Sequence, residues 1–111
     1  MKYFCTSEEC HGTCYHEFYK GKWDETTFWK KDSLYLHDDI DYENPAFFDI
    51  VTNVIPEYDP FGETELREEQ WNEIFTKALK VDGTAKEVAE EINSWMNDTF
   101  QEYGLVTILG I

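Results

Sequence analysis

An α+β fold is predicted: one antiparallel or mixed sheet, made of an N-terminal meander and a C-terminal strand, covered by about three helices. Three observations predict it. Residues 14–37 are rich in aromatic residues and Thr and are punctuated by Gly- and charge-bearing breaks, residues 66–103 carry apolar side chains three and four apart, and the sequence closes on the apolar run LVTILGI. Strands, then helices, then a strand place the helices on one face of a sheet. At 111 residues, with 41% hydrophobic and 17% aromatic content, residues 1–111 suffice for a single domain with a sizeable core, and the charge content does not signal disorder.

The segments CYHEFYK (14–20) and WDETTFWK (23–30) read as strands joined by a tight turn at Gly21-Lys22. Lys31-Asp32-Ser33 turns the chain into a third strand at Leu34–His37, where Leu34 and Leu36 share the inward face. Asp38, Asp39, Asp41 and Glu43 crowd the next stretch, which is too acidic for a buried strand and is expected as a surface loop. Asn44 suits an N-cap with Pro45 in the first helical position, opening a short buried helix that ends before Pro56. Residues 56–63 are full of turn formers and should form an exposed loop.

From Leu66 to Lys80, Leu66, Trp71, Ile74, Phe75, Ala78 and Leu79 define an amphipathic helix, with Glu68 and Glu69 near its start and Lys77 and Lys80 near its end complementing the helix dipole. Asp82-Gly83 breaks it. Thr84-x-x-Glu87 has the form of a capping box, and an apolar stripe from Ala85 through Ile92, Trp95 and Met96 to Tyr103 runs to Gly104, a left-handed stop. Residues 105–111 then read as a buried strand that must be paired inside the sheet, because an open edge this apolar promotes aggregation. Trp71 and Trp95 are expected as core anchors between sheet and helices.

Charge is regional. Residues 1–31 balance five acids against five bases, whereas 32–111 hold nineteen acids and four bases and so carry the entire net charge of −15. Scattered lysines among so many carboxylates cannot neutralise phosphates, which disfavours nucleic acid and anionic membrane as direct ligands. No run approaches the ~20 apolar residues of a membrane span, and the acid-bearing start lacks a signal-peptide core, so a cytoplasmic protein is expected.

The three cysteines lie together. Cys5, Cys10, Cys14 and His16 form Cys-x4-Cys-x3-Cys-x-His, four ligands of the kind that close a tetrahedral zinc site, although the spacing is not a standard one and no second knuckle follows. Free thiols on a hairpin around His11-Gly12 are the competing reading, and without zinc no cofactor is expected. Neighbouring Glu8, Glu9 and Glu17 would raise a thiol pKa, against a catalytic cysteine. There is no Gly-x-Ser-x-Gly, no Gly-x-Gly-x-x-Gly and no Walker pattern. Asp39-x-Asp41-x-Glu43 lacks the glycine and spacing of a calcium loop, and His37 beside Asp38 is a thin basis for acid–base chemistry. An enzyme is therefore not expected.

The stretches SLYLHDDIDYE, FFDIVTNVIPEYDPFGETEL, EEQWNEIFTKAL and EEINSWMNDTFQEYGLVTILGI, covering about residues 33–111, resemble in layout the immunity proteins of bacterial polymorphic toxin and contact-dependent growth inhibition systems. The resemblance implies a cytoplasmic inhibitor that binds a cognate, basic, nuclease-type toxin domain. The acidity agrees with that role. Asp38, Asp39, Asp41, Glu43, Glu57, Asp59 and Glu63 are the expected partner-facing charges, with Tyr42, Tyr58 and Phe61 as aromatic anchors. A small zinc protein built on the cysteine cluster, and an acidic mimic of nucleic acid, are the alternatives.

Overall fold

A computed structural model describes residues 1–81 and 83–110, apart from the side chain of Asp41. Among the described residues five strands form one sheet: β1 (Phe4–Cys5), β2 (Tyr15–Lys20), β3 (Leu34–His37), β4 (Glu63–Arg67) and β5 (Leu105–Leu109), in the order β1-β3-β2-β5-β4 with every pair antiparallel. The apolar β5 is interior, between β2 and β4, as its composition requires. The described residues also form four helices: α1 (Asp39–Glu43), α2 (Ala46–Val54), α3 (Glu68–Leu79) and α4 (Thr84–Tyr103). The α+β arrangement expected from the order of elements is the one found.

Side chains alternate across a strand, and here the alternation separates two faces. Phe4, His16, Phe18, Leu34, Leu36, Leu66, Val106 and Ile108 share one face by register. All but His16 join the main core with Phe47, Val51, Trp71, Ile74, Val88, Ile92, Met96 and Phe100 of the helices. Trp71 is fully buried and its indole N–H donates to Asn93 Oδ1 at 3.0 Å. Trp95 is half-buried against that core, with Lys20 Nζ 5.9 Å from its ring centroid. The opposite face carries Cys5, Glu17, Tyr19, Tyr35, Thr107 and Leu109.

Several expectations are corrected. Residues 23–30 form no strand: the Asp24 carboxylate accepts the N–H groups of Thr26 and Thr27, folding a local turn, and Glu25 and Trp29 take positive φ values of 68° and 61°, outside any strand geometry. Residues 39–43 are helical rather than a loop, with Asp39 at the first helical position, where the helix dipole favours an acid. Asn44 ends α1 instead of capping α2, whose N-cap is Pro45. Leu66 belongs to β4, not to a helix, because Thr64 and Leu66 alternate inward with exposed Glu63 and Arg67; α3 begins at Glu68. The two-residue β1 was not anticipated. Glu91 of α4 holds it, accepting the N–H groups of Lys2, Tyr3 and Phe4 at 2.7, 2.9 and 2.7 Å. The Thr84–Glu87 capping box does not form. Gly83, at φ 101°, is the N-cap, and the Glu87 carboxylate instead accepts from the Tyr3 hydroxyl and Lys2. Gly104 stops α4 in the left-handed region, its N–H bonded to Phe100 O. The expected break at Asp82-Gly83 falls in part, and the strand end at Ile111 wholly, outside the described residues.

Candidate interaction surface on the outer face of the sheet

The face of the sheet turned away from the helices is covered by residues 21–33, which run across it as a strap. Gly21 anchors the near end: its N–H donates to Leu105 O at 2.9 Å and its carbonyl accepts from Thr107 Oγ1 at 2.8 Å. Glu17 anchors the middle. This carboxylate is 5% exposed and accepts the backbone N–H of Trp29 at 2.8 Å on one oxygen and that of Lys30 at 3.1 Å on the other. Among the described residues no Lys, Arg or His nitrogen lies within ion-pair distance of it. Backbone donors satisfy this charge, and two donors converging on one carboxylate are what make a buried acid tolerable.

Trp29 lies over this anchor. Its ring stacks on Tyr35 at 5.2 Å and 15°, and Tyr15 meets it edge-on at 6.1 Å. The Tyr35 hydroxyl donates to Lys30 O at 2.6 Å, and burial, followed by the Glu17 charge, raises its pKa well above the usual phenol value, so it remains a donor. A bulky residue with φ 61° costs on the order of 1–3 kcal/mol and persists only where its surroundings dictate it. Despite that cost Trp29 is 41% exposed. Beyond it, Trp23 packs on Phe28 at 5.1 Å and donates its indole N–H to Thr27 O at 2.7 Å.

Two adjoining clefts open beside these rings. One, of ≈ 190 Å³, is lined by Thr13, Tyr15, Glu17, Phe28, Trp29 and Tyr35 with Leu109 and Gly110. The second, of ≈ 230 Å³, shares Phe28, Leu109 and Gly110 and adds Trp23, Phe61, Gly62 and Glu63. At the far end Tyr15 meets His37 edge-on at 4.9 Å, and His37 Nδ1 lies 3.3 Å from the Asp39 carboxylate. One aromatic stripe thus runs from His37 through Tyr15, Trp29, Phe28 and Trp23 to Phe61. The acidic segment 38–43 flanks one end and the segment 57–63 the other.

The residues singled out from sequence divide accordingly. Asp39, Glu43, Glu57, Asp59 and Glu63 are exposed, as are Tyr42 and Phe61, each 81% exposed. Phe61 is held by the Asp59 carboxylate, which accepts its N–H at 2.9 Å, and it reaches the cleft with Glu63. Asp38 turns inward instead, 3.1 Å from His16 Nε2. Tyr58 also turns inward, stacking on Phe48 at 5.6 Å, so it packs rather than projects. The side chain of Asp41 lies outside the described residues.

The structure does not bring the four zinc-ligand candidates together. Cys5 and Cys10 touch, with sulfurs 3.1 Å apart, but Cys14 is exposed and His16 sits on the other face of the sheet, 4.8 Å from the Phe48 ring. Strand alternation is the reason: Cys5 is one residue beyond inward-facing Phe4, whereas His16 pairs with Leu36 on the inward side. No group of three or more His, Cys, Asp or Glu side chains is arranged to hold a metal ion among the described residues.

Sequence reasoning missed Glu17, Trp23, Phe28 and Trp29. One signal for them was present: Asp24 followed two and three residues later by Thr26 and Thr27 is a turn pattern, which should have argued against a continuous strand. No protein-family model matches the chain, and no curated protein and no solved structure matches it either. No helix among the described residues is long and apolar enough to cross a membrane.

Proposed function

We propose that this chain is an immunity-type inhibitor: an acidic protein that binds a cognate, basic toxin domain in the cytoplasm and neutralises it by direct contact, without chemistry of its own. One observation carries the reading. The outer face presents an aromatic stripe with exposed Phe28, Trp29 and Phe61, bounded at both ends by exposed carboxylates. Contiguous exposed aromatics mark contact surfaces, and Trp and Tyr in partly desolvated clefts are the residues that dominate interface energies. The left-handed backbone at Trp29 agrees with this reading, since strained residues cluster at functional positions.

The carboxylates supply selection and speed. A net charge of −15 attracts a basic partner over about a Debye length, and acids at the two ends of the stripe orient it before the rings engage. The resemblance of residues 33–111 to immunity proteins names the partner class, and the regional acidity agrees with it.

The test is co-expression with a basic toxin domain encoded beside this chain, followed by co-purification and binding kinetics. Changing Asp39, Glu43, Asp59 and Glu63 to Asn or Gln together should slow association and flatten its salt dependence, leaving dissociation nearly unchanged. Trp29→Ala and Phe61→Ala should each speed dissociation about tenfold or more, equivalent to ~1.4 kcal/mol. Failure of the basic domain to co-purify, or parental kinetics in all these variants, refutes the proposal.

A further inference from the structure

The Cys5–Cys10 contact is a feature that the interaction surface does not use. Cys5 ends β1 on the outer face, opposite Tyr35 in the β1–β3 register. The chain then turns through Thr6–Glu9: the Glu9 N–H donates to Thr6 O at 3.0 Å, and the Glu9 carboxylate accepts the Thr6 N–H and hydroxyl at 2.9 and 3.1 Å. Those two bonds hold the Glu9 carboxyl below its ordinary pKa, so the clamp persists into mild acid. The turn returns Cys10 to Cys5 with the sulfurs 3.1 Å apart, and the Cys10 thiol also donates to Thr6 O at 3.3 Å. A disulfide needs ~2.05 Å between sulfurs, so about 1 Å of approach closes the pair. Cys14 takes no part in the contact.

We propose that Cys5 and Cys10 are a modification site, a dithiol that the fold holds ready to close into a reversible intramolecular disulfide. The oxidant class is a low-molecular-weight disulfide such as oxidised glutathione. One protein thiolate attacks it, forming a mixed disulfide and releasing one glutathione thiolate. The second protein sulfur then attacks the mixed disulfide, forming the Cys5–Cys10 bond and releasing the second glutathione. The two electrons lost by the protein sulfurs reduce the glutathione disulfide, and the two thiol protons end on the two glutathiones released. Burial first, then the hydrogen bond with Cys5, push the Cys10 thiol up to about 12. Reaction through Cys10 therefore waits on a scarce thiolate at neutral pH and quickens as pH rises. Closure ties down the turn beside Tyr35, the floor of the aromatic cleft, and it does so whether or not a toxin domain is the partner.

The experiment titrates the whole folded protein in glutathione redox buffers at mildly alkaline pH, with alkylation and peptide mass mapping as the readout. Free thiols should fall from three to one. The remaining thiol should be Cys14, the peptide containing residues 5–10 should be lighter by two hydrogens, and dithiothreitol should restore all three. Cys14→Ser should still close the bond, and Cys5→Ser or Cys10→Ser should not. Titration in strong urea should require a glutathione disulfide concentration about tenfold higher at the same free glutathione, roughly 30 mV for a two-electron couple. Persistence of three free thiols, formation of glutathione adducts alone, or the same midpoint folded and unfolded would each overturn the proposal.

Discussion

Glu17→Gln isolates what holds the strap on the sheet. In the native protein each carboxylate oxygen accepts one backbone N–H, from Trp29 at 2.8 Å and Lys30 at 3.1 Å, in a site 5% exposed. Glutamine is the same size but offers one acceptor, and its amide then points a donor at the other N–H. One charge-assisted bond is lost, worth ~1.5–3 kcal/mol, and an N–H is left unsatisfied. Relief from burying a charge offsets part of this. The net loss is about 2 kcal/mol. With ~2.1 cal/mol/K of unfolding entropy per residue, a chain of 111 residues loses about 4 °C per kcal/mol, so Tm falls by roughly 9 °C. Urea unfolding followed by tryptophan emission measures the first figure, with an unchanged m-value confirming that the native state is the one perturbed. Amide exchange at Trp29 and Lys30 should accelerate more than exchange in α4. A stability change below about 0.5 kcal/mol would show that the strap is held by its rings and by Gly21, and that the buried carboxylate is incidental.

Trp29→Gly should cost about 2 kcal/mol, because relief of the left-handed backbone offsets the lost ring pairs with Tyr35 and Tyr15, each worth ~0.5–1.5 kcal/mol, but not the burial of the covered part of the indole; an unchanged urea midpoint would show that the ring adds nothing to stability. Gly110→Ala should cost about 1–3 kcal/mol, since a Cβ there would overlap the Pro60 carbonyl and strain the Gly110 N–H···O bond to Gly62 at 2.7 Å; a neutral result would mean the 60–62 turn shifts freely. The Thr27 hydroxyl, then the Thr27 and Thr26 N–H groups, hold the Asp24 carboxyl well below its usual range. A lowered folded pKa stabilises in full above the unfolded value of about 3.9 and is lost as pH falls below it, so the stability gap between the parent and Asp24→Asn should shrink from about pH 5 to about pH 2. A gap that stays constant over that window would remove Asp24 from the acid response.

Much of the fold was legible because it rests on periodicity. The stripe from Ala85 to Tyr103 and the apolar run at 105–109 have one comfortable solution each, a helix packed along its length and a strand paired on both sides. Local competition defeated the reading elsewhere. Leu66 fits the helical stripe of α3 and the alternation of β4 equally, and only pairing with Val106 across β5 decides between them. The aromatic segment 23–30 has strand composition, but the Asp24 turn and the two left-handed residues prevent it from pairing. Of the site, exposed Phe61, Glu63, Asp39 and Tyr42 could be anticipated from acidic, turn-rich surroundings; the clefts could not.

The sequence by itself determined the class of fold, the helical faces, the interior place of the last strand and the regional acidity of residues 32–111, because hydrophobic period and charge are properties of short windows. Only the tertiary structure decided which face of the sheet the strap covers, that Glu17 would be buried beneath Trp29, and that Cys5 would meet Cys10 while His16 faced the opposite way. Each of these depends on strand register, where a shift of one residue exchanges the two faces, and register is set by partners far away in the chain.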